Sequence, residues 1–292
     1  MFKDILRIIL IAVSLSIGGF PAFAQKVKEP GNTPAEWSKP YQPFRIAGNL
    51  YYVGSYDLAS YLITTPKGNI LINTGLASSL SLIKANIQAL GFSLADVKIL
   101  LTTQAHYDHT GAMAAIKKLS GAKMMVDEKD AGVLADGGSS DYALGGSGST
   151  YEPVKADRLL RDGDSIKLGD MQLVMLHHPG HTKGSCGFLF DVKDESRSYR
   201  VLIANMPTIV TEKKFSEITS YPDIAKDYAY TLDAMKKLSF DIWLSSHAGQ
   251  FALHTKHKPG DSYNPAAFVD KQGYDAALNN LQKQFSKKAD DR

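Results

Sequence analysis

Thr102-Thr103-Gln104-Ala105-His106-Tyr107-Asp108-His109 follows directly on the apolar run Val97 to Leu101. That run reads as a buried strand, so the octet is the polar loop at the strand's end, and a helix from about Thr110 to Leu119 follows before Gly121. Two imidazoles and a carboxylate within four residues are three ligands for a first-row metal. In extended or irregular backbone, positions 104 and 106 point the same way while 108 and 109 diverge toward a neighbouring point. This layout suits two adjacent metals better than one. Capping the helix at Thr110 would need one Asp or Thr, not two histidines besides.

The other histidines sort by position. His177-His178-Pro179-Gly180-His181-Thr182 ends a strand: Pro179 forces His178 out of the helical region and Gly180 permits a tight turn that presents His181 inward. Of His177 and His178, one is expected to be an ordinary packing residue, His177 foremost. Ser245-Ser246-His247-Ala248-Gly249 again follows a strand directly. His254 and His257 sit in a Lys-rich tail and are expected to be solvated surface. Four imidazoles and one carboxylate at strand ends suit Zn(II), whereas Mg or Ca would want mostly oxygen ligands. Cys186 is the single cysteine. It cannot close an intramolecular disulfide and reads as a buried, inert thiol.

Working outward, short β-type runs precede the octet (Leu50 to Val53, Ser60 to Thr64, Ile70 to Ile72), the last two joined by Pro66-Lys67-Gly68, which is hairpin chemistry. Leu80, Ile83, Ile87 and Leu90 recur at helical spacing until Gly91. Strands are expected again at Lys123–Val126, Ser165–Leu168, Gln172–Leu176, Gly187–Val192, Arg200–Ala204 and Asp241–Ser245, with helices over Tyr221–Leu238 and from Pro265 to about Lys287. The order lacks regular βαβ alternation and is satisfied by an α/β fold of two mixed β-sheets packed together with helices outside. The Gly/Ser-dense stretch 137–150 is either a floppy surface connection or a flap over a site.

The 292 residues are 44% hydrophobic and 22% charged, which excludes disorder and low-complexity readings. A net charge of +3 is too near neutral for a nucleic-acid footprint, so no nucleic-acid partner is expected. Met1 to Ala24 opens with Lys3 and Arg7, runs apolar from Ile8 to Phe20 and closes on Ala22-Phe23-Ala24, the pattern of a cleaved signal peptide. The apolar run is short for a bilayer, and an uncleaved anchor is the alternative. Cleavage leaves one domain, residues 25–292, in the periplasm, with no stable membrane association and monomeric.

The octet, the Pro-Gly-His-Thr turn at His181 and His247 together resemble the Thr-His-x-His-x-Asp-His pattern of the metallo-β-lactamase superfamily. The likeness covers essentially the whole mature chain. It is nearest to subclass B3, and within it to the GOB-type enzymes, in which glutamine replaces the first histidine of the motif. The resemblance implies an αβ/βα sandwich with metals in a shallow groove at one edge. It implies a first zinc site of Gln104, His106 and His181 and a second of Asp108, His109 and His247. One or two zincs per chain are expected, the first site binding more weakly because an amide oxygen is a poorer donor than imidazole. Asn205-Met206 stands where many relatives carry a bridging Asp or a ligand Cys, which argues against glyoxalase II-like and lactonase-like activity. Asn73 replaces a frequent Asp near the site.

The implied reaction is hydrolysis of the β-lactam amide of penicillins, cephalosporins and carbapenems, conferring antibiotic resistance. Zinc lowers the pKa of bound water to about 7, so hydroxide is available without a strong protein base. Asp108 would orient the water and the second zinc would take charge on the departing nitrogen. Ser81-Leu82-Ile83-Lys84 and Ser120-Gly121-Ala122-Lys123 match the Ser-x-x-Lys of serine enzymes, but the companion motifs are missing from the sequence. Met206 and Thr208 are candidates for substrate contacts, and the arm around Trp37 either lines the groove or is plain surface. The alternatives are another zinc hydrolase of this fold, acting on thioesters or lactones, and a non-catalytic zinc-binding relative.

Overall fold

The computed structural model describes residues 28–146, 149–195 and 197–290. The expected signal peptide, Met1 to Ala24, lies outside them. Among the described residues, twelve strands form two sheets. The first holds β1 (Phe44–Ala47), β2 (Leu50–Tyr52), β3 (Tyr61–Thr65), β4 (Gly68–Ile72), β5 (Val97–Leu101), β6 (Lys123–Asp127) and β7 (Arg158–Leu160) in sequential order. The second holds β8 (Ser165–Leu168), β9 (Met171–His177), β10 (Cys186–Lys193), β11 (Ser198–Ala204) and β12 (Ile242–Ser245). Pairing is antiparallel from β1 to β4 and parallel from β4 to β7. In the second sheet only β11 and β12 run parallel.

The alternation of side chains decides the layers. Tyr61, Ile63, Ile70, Ile72, Ile99 and Leu101 face the second sheet, in one cluster with Phe188, Phe190, Val201 and Trp243. Leu62, Leu71 and Leu100 point the other way, against Ile83, Ile87, Met113 and Ile116 of the helices Leu80–Ala89 and Met113–Ser120. Strands covered on both faces read as unbroken apolar runs, as Ile70-Leu71-Ile72 does. Helices Ile224–Lys236 and Lys271–Asp290 contribute Leu232, Met235, Tyr274 and Leu278 to the same core as the second sheet. The expected sandwich is what forms.

Strand direction then places the chemistry. β4, β5 and β6 run together, and β9, β11 and β12 run together, so each set ends at one rim. Backbone bonds tie the sheets there: Cys186 N–H donates to Thr103 O at 2.9 Å and Ala59 N–H to Ser246 O at 3.0 Å. The C-terminal helix begins later than its pattern predicts, because Pro265–Phe268 forms a 3₁₀ turn and Asp270 Oδ1 then accepts from Gly273 N–H at 2.8 Å.

Candidate metal centre

The octet leaves β5 in a turn fixed by neutral groups. Asn73, in left-handed backbone at φ 61°, accepts on Oδ1 from Thr103 N–H at 3.0 Å and from the Thr102 and Thr103 hydroxyls. Thr103 Oγ1 lies 2.8 Å from Ser246 Oγ, in the loop that carries His247. Beyond this floor the chain turns at His106 into the short helix Tyr107–Thr110, which sets Asp108 and His109 on a different heading from Gln104 and His106.

Asp108 Oδ2 lies 3.2 Å from His109 Nε2 and 3.4 Å from His247 Nε2, and donor atoms of the three residues lie within 4.8 Å of one another. Zinc bonds of 2.0–2.1 Å at tetrahedral angles separate donors by about 3.3 Å. The rings of His106 and His181 stand 5.0 Å apart, centroid to centroid. Gln104 Oε1 and both ring nitrogens of His109 are buried without a hydrogen-bond partner. Buried polar atoms are almost always paired, so this concentration of orphaned donors fits a cation site.

Three of the imidazoles are held from behind. His247 Nδ1 meets Asp57 Oδ2 at 2.9 Å, and His181 Nδ1 donates to Thr208 O at 2.8 Å. His106 Nε2 lies 3.3 Å from Asp141 Oδ1, a charge contact whose angle falls short of a good hydrogen bond. Metal-binding histidines usually engage such an outer partner through the other ring nitrogen. Burial alone would raise the Asp108 carboxyl, but the His109 and His247 imidazoles hold it well below the usual range. Burial, with the His106 charge, lowers His181 to about 3, and burial also lowers His109, so both rings are neutral donors at pH 7. At His247 the carboxylates of Asp108 and Asp57 outweigh burial and raise it to about 9, so a cation binding there displaces a proton.

A cavity of about 490 Å³ opens over these groups, lined by His106, Asp108, His181 and His247. The arm joins its wall: the Trp37 ring lies 5.5 Å from that of His247. Leu144 and Ser149 line it too, and the Tyr142 hydroxyl donates to the carbonyls of Gly180 and His181. Thr208 lines the cavity, whereas Met206 is buried in the core cluster, 1% exposed. Cys186 is buried as expected. A larger hollow of about 1090 Å³ lies at the opposite rim around the Pro66–Gly68 hairpin, with no histidine in its lining.

Two expectations are corrected. His257 is buried, its ring stacked on Phe44 at 3.6 Å and its Nδ1 3.1 Å from the Tyr41 hydroxyl. His254 stacks on Tyr56 at 3.7 Å. Asp57, Asp130 and Asp141 escaped the sequence reading, since a lone Asp in a loop carries no periodic or motif signal. His177 is half-buried with Nδ1 2.6 Å from Asp127 Oδ2, and His178 is the fully buried ring of the pair.

A family model described as the metallo-beta-lactamase superfamily matches residues 58–194. Among solved structures, a class B3 di-zinc metallo-beta-lactamase, LRA-12, from an Alaskan soil metagenome is 72% identical, with a TM-score of 0.89 over 90% of this chain and 100% of that one. The metallo-beta-lactamase GOB-18 from Elizabethkingia meningoseptica is 62% identical, with a TM-score of 0.91 over 92% of this chain and 100% of that one. An acyl-coenzyme A thioesterase of Gallus gallus is 31% identical over 30% of this chain. The first matches to curated relatives take in between 35% and 64% of those proteins' own length.

Proposed function

The chain belongs to the class B3 metallo-β-lactamases, and from that premise we propose that it is a zinc-dependent hydrolase of the β-lactam amide. The observation that carries the reading is the pair of buried, unpartnered donors at Gln104 and His109 beside the Asp108–His109–His247 cluster. Gln104, His106 and His181 would hold one zinc, and Asp108, His109 and His247 a second.

Bound zinc supplies Lewis acidity, polarising a carbonyl and lowering the pKa of water to about 7. The protein's own part is positional and electrostatic. Asp108 stays ionised, so its carboxylate is available to orient the attacking water. Asp57 and Thr208 fix the faces of His247 and His181. Trp37 and Leu144 give the cavity apolar walls against which a substrate can pack. No nucleophilic side chain is required, and the buried Cys186 thiol, which burial pushes well up, takes no part.

The substrates are penicillins, cephalosporins and carbapenems. Export to the periplasm, where such drugs act, is supported by the Met1–Ala24 pattern. No helix among the described residues is long and apolar enough to cross a membrane. A monomer is the expected working form. The test is hydrolysis of nitrocefin and a carbapenem alongside metal analysis, with a thioester substrate in parallel. Activity on the lactams that a chelator abolishes and zinc restores is expected. Turnover indifferent to chelation, or confined to the thioester, refutes the proposal.

A further inference from the structure

Asp141 lies on a loop remote in sequence from every expected ligand. Its Oδ1 stands 3.3 Å from His106 Nε2, and the two side chains are 4% and 3% exposed. The same oxygen accepts from the N–H groups of Ala143 and Leu144 at 2.9 and 2.7 Å, which fixes the carboxylate's direction. The next residue, Tyr142, donates its hydroxyl to the carbonyls of Gly180 and His181 at 3.0 and 3.2 Å. One short segment thus reaches both imidazoles of the Gln104 cluster, one through charge and the other through backbone.

We propose that Asp141 is a positioning residue of the first cation site, steadied by Tyr142 beside it. The proposal rests on the zinc reading above. Gln104, His106 and His181 bring no carboxylate of their own, and an amide oxygen is neutral. Asp141 supplies the missing negative charge one atom layer out. By engaging Nε2 it leaves Nδ1 as the His106 nitrogen for the cation. Asp57 stands in the same relation to His247 in the other cluster, 2.9 Å from Nδ1. A carboxylate that served only to shape its own loop would gain nothing from a buried imidazole across the cavity wall. Outer partners of this kind typically change metal affinity 10- to 100-fold.

The test titrates zinc into the metal-free protein against a chromophoric chelator, with cobalt(II) absorption in parallel. Two binding steps are expected for the unaltered protein. Asp141→Asn retains an acceptor for Ala143 and Leu144 but loses the charge, and it should weaken one step about 10- to 100-fold while the other holds. Asp57→Asn should weaken the other step instead. Only a site-specific role produces this crossed pattern, because a general loss of structure lowers both constants. An Asp141→Asn protein with both constants unchanged, or both lowered alike, overturns the proposal, as does an unaltered protein that takes up a single ion. A protein that binds two zincs and hydrolyses β-lactams, yet ignores Asp141→Asn, refutes this inference alone. One that binds no zinc refutes the functional reading with it.

Discussion

Asp130→Asn isolates a buried carboxylate that braces the two ligand-bearing loops. Oδ2 accepts from Ala105 N–H at 2.9 Å and the Thr182 hydroxyl at 2.7 Å, and Oδ1 from Gly184 N–H at 2.7 Å. Burial, only partly offset by these bonds, pushes the carboxyl from 3.8 up to about 6. At roughly 1.4 kcal/mol per unit, that rise is worth about 3 kcal/mol. The native state binds this proton more readily than the unfolded chain. Its contribution is therefore fully present below about pH 3.8 and is lost as pH rises through about 6. An asparagine does not titrate. Its oxygen can serve Ala105 and Thr182, but its NH₂ then faces Gly184 N–H, a mismatch worth about 1–3 kcal/mol at every pH. The advantage of the unaltered protein over the variant should thus shrink by about 3 kcal/mol between roughly pH 4 and 7.5. Urea unfolding of the metal-free proteins, followed by tryptophan fluorescence, measures the difference, and other titrating groups largely cancel. Parallel curves across that range would refute the argument.

Gln104→His should tighten the first zinc step, since imidazole is the better donor; an unchanged chelator-competition constant counts against Gln104 as a ligand. Gly180→Ala should lower the urea midpoint, because φ is 132° there and a Cβ would lie 2.9 Å from the Tyr228 ring. Overpacking of that sort costs about 1–3 kcal/mol, and an unshifted midpoint would show that the turn relaxes freely. Trp37→Ala removes the cavity wall beside His247 and should raise KM for a cephalosporin about tenfold, equivalent to ~1.4 kcal/mol. Steady-state kinetics with kcat falling and KM constant would place Trp37 outside substrate binding.

The octet at 102–109, the Pro179-Gly180-His181 turn and Ser246-His247 were legible because each is a compact polar word at the end of an apolar run. The two sheets were legible for the same reason: Ile70 to Ile72 and Val97 to Leu101 admit few other fates. The groups that aim the imidazoles were not. Asp57 meets His247 across 190 positions, and Asp141 sits in a Gly/Ser-rich stretch with no ligand pattern around it. His257 misled because Lys256 and Lys258 flank it, while Phe44 and Tyr41, which enclose it, lie more than two hundred residues away. Contacts set by tertiary packing leave no trace in local pattern.

Gln104, His106, Asp108 and His109 hang from one sheet, and His181 and His247 from the other. An ion bound among them therefore clasps the two halves of the sandwich and favours the folded chain by mass action. At a hundredfold excess over its dissociation constant, that linkage adds about 2.7 kcal/mol. Scarcity of zinc would then thin the standing pool of the protein through proteolysis as well as silence each copy. Activity would fall more steeply with metal supply than catalytic occupancy alone dictates.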